Sequence, residues 1–224
     1  MTKKLTNGIT TSFYFDDIED ALAAFKDGDF LVVMDDEGRE NEGDLIIAAS
    51  HITTEKMASM IRFTSGFVCI SLPAQRLEEL QLPLMVSEEA QSDPHKTAFT
   101  VSVDYKHGTT TGISAHDRAL TARSLASSTN TAADFTRPGH LMPLRAREGG
   151  LLTRRGHTEA GIELCRLTGL PKAAVLCELV LDYDTAEGKS GNMMRRDECR
   201  KFADKRGLKM ISVEMLAELV RMGL

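Results

Sequence analysis

Apolar positions along the chain fall into two kinds of segment that follow one another in turn. Short continuous apolar runs at residues 30–34, 45–49 and 67–72 have the length of strands covered on both faces. Residues 98–103 alternate as a strand does, and residues 173–182 read as a strand broken by one carboxylate, Glu178. Between these runs the spacing is helical. Ile18, Ala21, Leu22 and Phe25 share a face behind Asp16, which has capping-box spacing to Glu19, and Gly28 supplies the stop. Met57, Met60 and Ile61 form the inward side of a helix over 54–63, ended by Gly66. Pro73 opens a helix reaching Leu80. Ser114 and Asp117 again have capping-box spacing, before a helix to about Ala126. Residues 154–158 lead into a helix that stops at Gly169, with Pro171 blocking continuation. Residues 196–205, 208–211 and 213–222 read as helix, strand and helix. Residues 82–95 read as loop. Residues 134–144, with Pro138, Gly139 and Pro143, read as irregular.

Strands and helices interleave without a low-complexity linker or an internal repeat. The expectation is α+β: one domain over residues 1–224, with a mixed, twisted sheet flanked by helices. A purely parallel sheet is not expected, because the strands at 30–34 and 45–49 are too close for a crossover helix. The chain of 224 residues is long enough to bury roughly 70–75% of its unfolded surface without a disulfide or metal to hold it.

Composition narrows the partners. A net charge of −6 argues against a general affinity for nucleic acid or anionic membrane, and leaves room for a local basic pocket. Cys69, Cys165, Cys177 and Cys199 form no C-x-x-C pair and read as reduced, buried thiols. Residues 1–12 are polar with no apolar signal core. The longest apolar stretches fall far short of the ~20 residues of a spanning helix. A cytoplasmic protein with no membrane partner is expected.

Four segments carry chemistry. Six of the ten residues at 35–44 are acidic, namely Asp35, Asp36, Glu37, Glu40, Glu42 and Asp44, with Arg39 as the single cation. Such density calls for a counter-charge, which a hard divalent cation supplies; a solvated acidic turn is the plainer reading. A calcium loop is out of register, since Gly38 at its sixth position puts Val33 at the first. Arg154-Arg155-Gly156-His157-Thr158 precedes a helix, where free amides, guanidinium and hydroxyl favour a phosphate and the imidazole a metal. A basic turn with a threonine cap fits as well. Glu178, with Leu176 and Val180 on its own face, is either a desolvated acid–base group or sits on a wet face. His140, in Arg137-Pro138-Gly139-His140, is a held proton carrier or a surface histidine. No P-loop, dinucleotide fingerprint or nucleophile elbow is present.

Taken in order, DDEGRENEGDL (35–45), FTSGFVCI (63–70), TTTGISAHDRALTAR (109–123), DFTRPGHLMPL (134–144), RRGHTEAG (154–161) and the Glu178 strand resemble the 3,4-dihydroxy-2-butanone 4-phosphate synthases of riboflavin biosynthesis. The resemblance spans nearly the whole chain and implies a three-layer fold, with no fused GTP cyclohydrolase II domain. It implies conversion of D-ribulose 5-phosphate to L-3,4-dihydroxy-2-butanone 4-phosphate and formate by a homodimer using Mg²⁺ or Mn²⁺, one or two ions per site. By motif, Glu40 and His157 become metal ligands. Arg39, Glu40, Asp44, Arg154, Arg155, Gly156, His157, Thr158 and Glu178 become substrate-binding residues. His140 and Glu178 become catalytic, and Asp35, Glu42, Cys69 and Thr111 line the pocket. The chemistry fits this inventory: an enediolate needs a Lewis acid, and several proton transfers need several carboxylates and histidines. A metal-dependent isomerase or aldolase for a related sugar phosphate is the nearest rival. A nucleic-acid-binding module is a more distant one.

Overall fold

A computed structural model describes residues 13–182 and 191–224. The elements run α1 (Ile18–Lys26), β1 (Leu31–Met34), β2 (Gly43–Ala48), α2 (Thr54–Phe63), β3 (Cys69–Leu72) and α3 (Ala74–Glu79). They continue with β4 (Val103–Tyr105), α4 (Ala115–Ala126), β5 (Phe135–Arg145), α5 (His157–Thr168), β6 (Ala174–Glu178), α6 (Arg196–Arg206), β7 (Lys209–Ser212) and α7 (Val213–Arg221). The seven strands form one mixed sheet in the order β4-β5-β3-β6-β2-β1-β7. β1 and β2 are antiparallel neighbours, as their short connection requires.

Alternation along the strands divides the core. Val32, Met34, Leu45, Ile47, Val175 and Cys177 face one layer, built on α2, α4 and α6. Leu31, Val33, Ile46, Ala48, Ala174 and Leu176 face the other, where α1, α5 and α7 pack. The continuous apolar runs are thus strands buried on both faces, and the fold is a three-layer α+β domain. All four cysteines are free and buried, and burial pushes the Cys165 and Cys199 thiols up to about 12. No described helix is long and apolar enough to cross a membrane.

The expected elements need five corrections. Asp17, not Asp16, caps α1, accepting from the Glu19 and Asp20 amides. Asp16 instead receives Arg200 Nη1 at 2.6 Å and the Met210 amide at 2.7 Å, tying the chain's start to β7. Pro73 is the cap of α3 rather than its first residue. Residues 134–144, read as irregular, hold β5, an eleven-residue strand. Pro138 is tolerated because β5 pairs with β4 at Phe135, Thr136 and Leu141 and with β3 from Met142 onward, so no ladder bond is asked of it. Conversely, residues 98–101 make only isolated bridges. Thr100 donates to the Pro143 carbonyl and Ala98 accepts from the Arg145 amide, while the ladder strand begins at Val103. The strand expected over 173–182 ends its ladder at Glu178. The polar residues 1–12 lie outside the described residues.

Helix α5, which carries RRGHT at its head, lies against β3 and β6 through Gly161. A Cβ there would fall 2.8 Å from Ser71 Oγ and 2.9 Å from the Ala174 Cβ. A Gly161→Val chain is expected to lose about 1–3 kcal/mol through overpacking. Denaturant unfolding measures it, and an unchanged midpoint would show that the helix can back away freely.

Candidate active site

The acidic loop is organised from within. Asp35 is buried at the end of β1, where its carboxylate accepts Arg39 Nη1 (2.7 Å) and the backbone amides of Glu40 (3.2 Å) and Glu42 (2.8 Å). The same Arg39 nitrogen pairs with Glu40. The Asp35 amide donates to the Glu42 carbonyl, closing the loop, and Asn41 takes a left-handed φ of 53°. More counter-charge comes from distant chain. Arg155 grips Asp36 through two bonds of 2.7 and 3.0 Å and also meets Glu214. Arg195 donates to the Glu40 and Asn41 carbonyls at 2.6 and 2.7 Å. Arg196 lies 3.3 Å from Glu37.

His157 is the first residue of α5 and is buried. Its Nε2–H donates to the Val33 carbonyl at 3.0 Å, which leaves Nδ1 as a lone pair 3.5 Å from Asp44 Oδ1. Burial lowers the His157 pKa against the pull of Asp35, so the ring is neutral. Asp44 is also buried, and Oδ1 has no hydrogen-bond donor among the described residues. Burial, reinforced by Glu178, Glu40, Asp35 and Glu42, raises its pKa well above the ordinary value. Burial and Glu40 raise that of Glu42.

Asp35, Glu40 and His157 offer ligand atoms that all lie within 4.8 Å of one another. Two carboxylates, an imidazole fixed by a carbonyl and an orphaned buried oxygen beside them fit a hard divalent cation.

Glu40, Asp44 and His157 help to wall a cavity of about 250 Å³. Arg39, Glu40, Glu42, Asp44 and His157 line one side; Cys69 and Glu178 line another. Glu178 is half-buried at the end of β6, directly across the ladder from Asp44, and accepts Ser65 Oγ at 3.0 Å. It is therefore neither in the core nor on a wet face. It looks into the cavity with Leu176. Thr158 and Arg154 complete the wall at the head of α5, where Gly156 is the cap and offers no side chain to the free amides.

The family model described as 3,4-dihydroxy-2-butanone 4-phosphate synthase matches residues 19–219. The chain belongs to this synthase family. It is 53% identical over 206 residues to the 3,4-dihydroxy-2-butanone 4-phosphate synthase of Candida albicans, covering 92% of this chain and 97% of that one. The Schizosaccharomyces pombe synthase is 51% identical over 205 residues, 91% and 97% of the two chains. A solved 3,4-dihydroxy-2-butanone 4-phosphate synthase in complex with two magnesium ions superposes with a TM-score of 0.86 at 52% identity, covering 92% of this chain and 98% of that one.

Not every expected residue of the synthase family's site reaches the cavity within one chain. Arg155 is engaged by Asp36 and Glu214 instead. Asp35 lies beneath the wall as its organiser. Thr111 is exposed, and neither it nor His140 lines the cavity. Arg154 lines it with three donors already engaged, on the His95 carbonyl, Thr97 Oγ1 and Glu159. The loop it staples supplies Asp93, Thr97 and Phe99, which sequence reading left unassigned. The one available signal was Asp93 four residues before Thr97, whose amide it accepts at 2.7 Å.

A carboxyl whose pKa is raised on folding stabilises the fold while protonated, and that contribution is lost as pH rises through the folded pKa. Because Asp44 is raised in this way, the metal-free protein is expected to lose thermal stability as pH rises upward from the carboxylate range. Added Mg²⁺ should then raise Tm most at the upper end, and much less in Glu40→Gln. Thermal melts across pH check this; a metal-induced gain independent of both pH and Glu40 is the contrary result.

Proposed function

We propose that this chain converts D-ribulose 5-phosphate to L-3,4-dihydroxy-2-butanone 4-phosphate and formate, in riboflavin biosynthesis. The observation that carries the reading is a single cavity with carboxylate and imidazole ligands at one side, Glu178 at another and an uncapped helix head at a third. The substrate's phosphate sits at the head of α5, held by backbone amides, Thr158 and the two Arg154 donors not already engaged. It does not react, so its binding energy holds the sugar in place. Arg39 and Asp44 bind the sugar's oxygens, and Cys69 and Glu42 shape the wall.

Glu40 and His157 hold one or two divalent ions, Mg²⁺ or Mn²⁺, with Asp35 positioned to support them. When bound, the metal supplies Lewis-acid stabilisation of negative charge on neighbouring substrate oxygens. Glu178 takes and returns a proton at the carbons or oxygens presented to it, and Ser65 orients its carboxylate. His140 supplies the second proton carrier.

The working unit in this reading is a homodimer in the cytoplasm. On β5, His140 lies on the same sheet face as Met142 and Leu144, yet outside the cavity of its own chain. Phe67 and Ile113 are large apolar side chains left 50% and 52% exposed. A second copy covering them brings His140 and Thr111 to a neighbouring cavity.

Pure protein with ribulose 5-phosphate and Mg²⁺ is expected to release formate, which an isomerase or aldolase does not. Its absence in metal-replete protein ends the proposal. Glu178→Gln should fold normally and lose at least about 100-fold in kcat; wild-type turnover would make Glu178 a structural residue only. If the site is shared, mixing inactive Glu178→Gln and His140→Ala subunits restores roughly a quarter of wild-type activity, since half the dimers then carry one intact site of two. No recovery after confirmed subunit exchange would place His140 and Glu178 in one chain's site.

A further inference from the structure

One carboxylate holds His140 at two points. Asp104, on the neighbouring strand β4, accepts the His140 backbone N–H through Oδ1 at 2.8 Å and meets ring Nδ1 through Oδ2 at 2.7 Å. The register shifts between Val103 and Asp104, which breaks the ladder there and lets the Asp104 side chain fold back on residue 140. Asp104 is buried, whereas the His140 side chain is 42% exposed. The anchored edge of the ring therefore lies inside, and Nε2 has no hydrogen-bond partner among the described residues.

A third element closes over this pair. A Cβ at Gly112 would fall 2.0 Å from Asp104 Oδ2 and 2.5 Å from His140 Nδ1, and Gly112 has a φ of +97°. Its loop is pinned in that contact by Asp117, whose Oδ2 accepts the Gly112 amide at 3.0 Å and Thr110 Oγ1 at 2.7 Å. The loop thus keeps water from the Asp104–Nδ1 bond on that side. It also explains why TTTG carries a glycine after three threonines, which spacing alone does not.

We propose that Asp104 is the positioning residue for His140: it fixes the Nδ1–H tautomer and leaves Nε2 as the one ring atom that takes and returns a proton. This rests on the reading of His140 as a proton carrier given above. Nδ1–H donates to Asp104. Nε2 takes a proton from the substrate, and the ring becomes an imidazolium with both nitrogens protonated. The same proton then passes to a substrate oxygen and the neutral ring is restored. Asp104 stays ionised throughout and takes no proton. A purely structural clasp would be satisfied by an amide as well. Asn at 104 can still accept the backbone N–H, but its NH₂ then donates to Nδ1 and imposes the opposite tautomer.

Ring ¹⁵N shifts of His140, read by long-range ¹H–¹⁵N correlation above the imidazole titration, test the tautomer without any activity measurement. The Nδ1–H form is expected in the wild-type protein and Nε2–H in Asp104→Asn, with native amide dispersion in both. Asp104→Asn should lose about 10²–10⁴-fold in kcat with KM within about threefold, and adding His140→Ala should cost little more. An Nε2–H tautomer in the wild type overturns the proposal, and so does Asp104→Asn with kcat within about threefold of wild type. A fully active His140→Ala also overturns it, by removing the proton that Asp104 would position. Formate release lost in Glu178→Gln but kept in Asp104→Asn sinks the Asp104 role and leaves the reaction standing. No formate from the wild type sinks the reaction itself, whatever the tautomer.

Discussion

The structure depends on keeping six acidic side chains together in the ten residues between the start of one buried strand connection and the next strand's second residue. Each unit charge repels its neighbours by a few kcal/mol at the effective dielectric of a protein surface. The chain answers with two different devices. Arg39 and the loop's own amides converge on Asp35 inside, while Arg155, Arg195 and Arg196 arrive from the far half of the chain and neutralise the rim. What these do not neutralise is the inner edge. There Asp44 keeps an orphaned buried oxygen, and Glu40, Asp35 and His157 converge. The remaining negative potential is directed at one point, where the donor set suits a small hard cation.

This arrangement needs the sheet order to exist. β2 and β6 are neighbours, so Asp44 and Glu178 face each other across one ladder step although 134 residues of chain separate them. β1 delivers Val33, whose carbonyl holds His157 and sets its tautomer. Helix α5 approaches the sheet closely through Gly161, which brings its head, with Thr158, within the same cavity. Packing thus acts directly on the site, because His157, the head of α5 and the sheet's carboxylates belong to elements joined by the apolar core, by the β2–β6 ladder and by the bond from His157 to the Val33 carbonyl.

Much of this was legible in the sequence. Strands covered on both faces were visible as unbroken apolar runs, and helix ends as caps and glycines, because both signals are local. The acidic loop and RRGHT were visible as clusters of like chemistry. Less legible were features set by partners far along the chain. Residues 134–144 looked irregular because Pro138 and Gly139 are turn-formers, and only the pairing pattern of β5 shows that neither position needs a ladder bond. Asp16 had the spacing of a cap, yet Arg200 and the Met210 amide claim it. Arg154 and Arg155 looked alike. One staples the 93–97 loop, and the other clamps the acidic loop to α7 through Glu214, a division no adjacent-residue pattern encodes.

The two motif histidines show how environment divides labour between identical side chains. His157 is buried, its Nε2–H is spent on a backbone carbonyl and burial holds the ring neutral, which suits a ligand that must keep a lone pair available. His140 keeps 42% of its side chain exposed and is held by a carboxylate through Nδ1, which suits a group that must gain and lose a proton at Nε2. A carbonyl fixes a ring without offering it a charge. A carboxylate fixes it and also balances the charge the ring acquires. In the roles proposed for them, exchanging the two surroundings would give a proton carrier that cannot become charged and a ligand that competes with protons, so it is the partner atoms rather than the residue type that suit each ring to its proposed role.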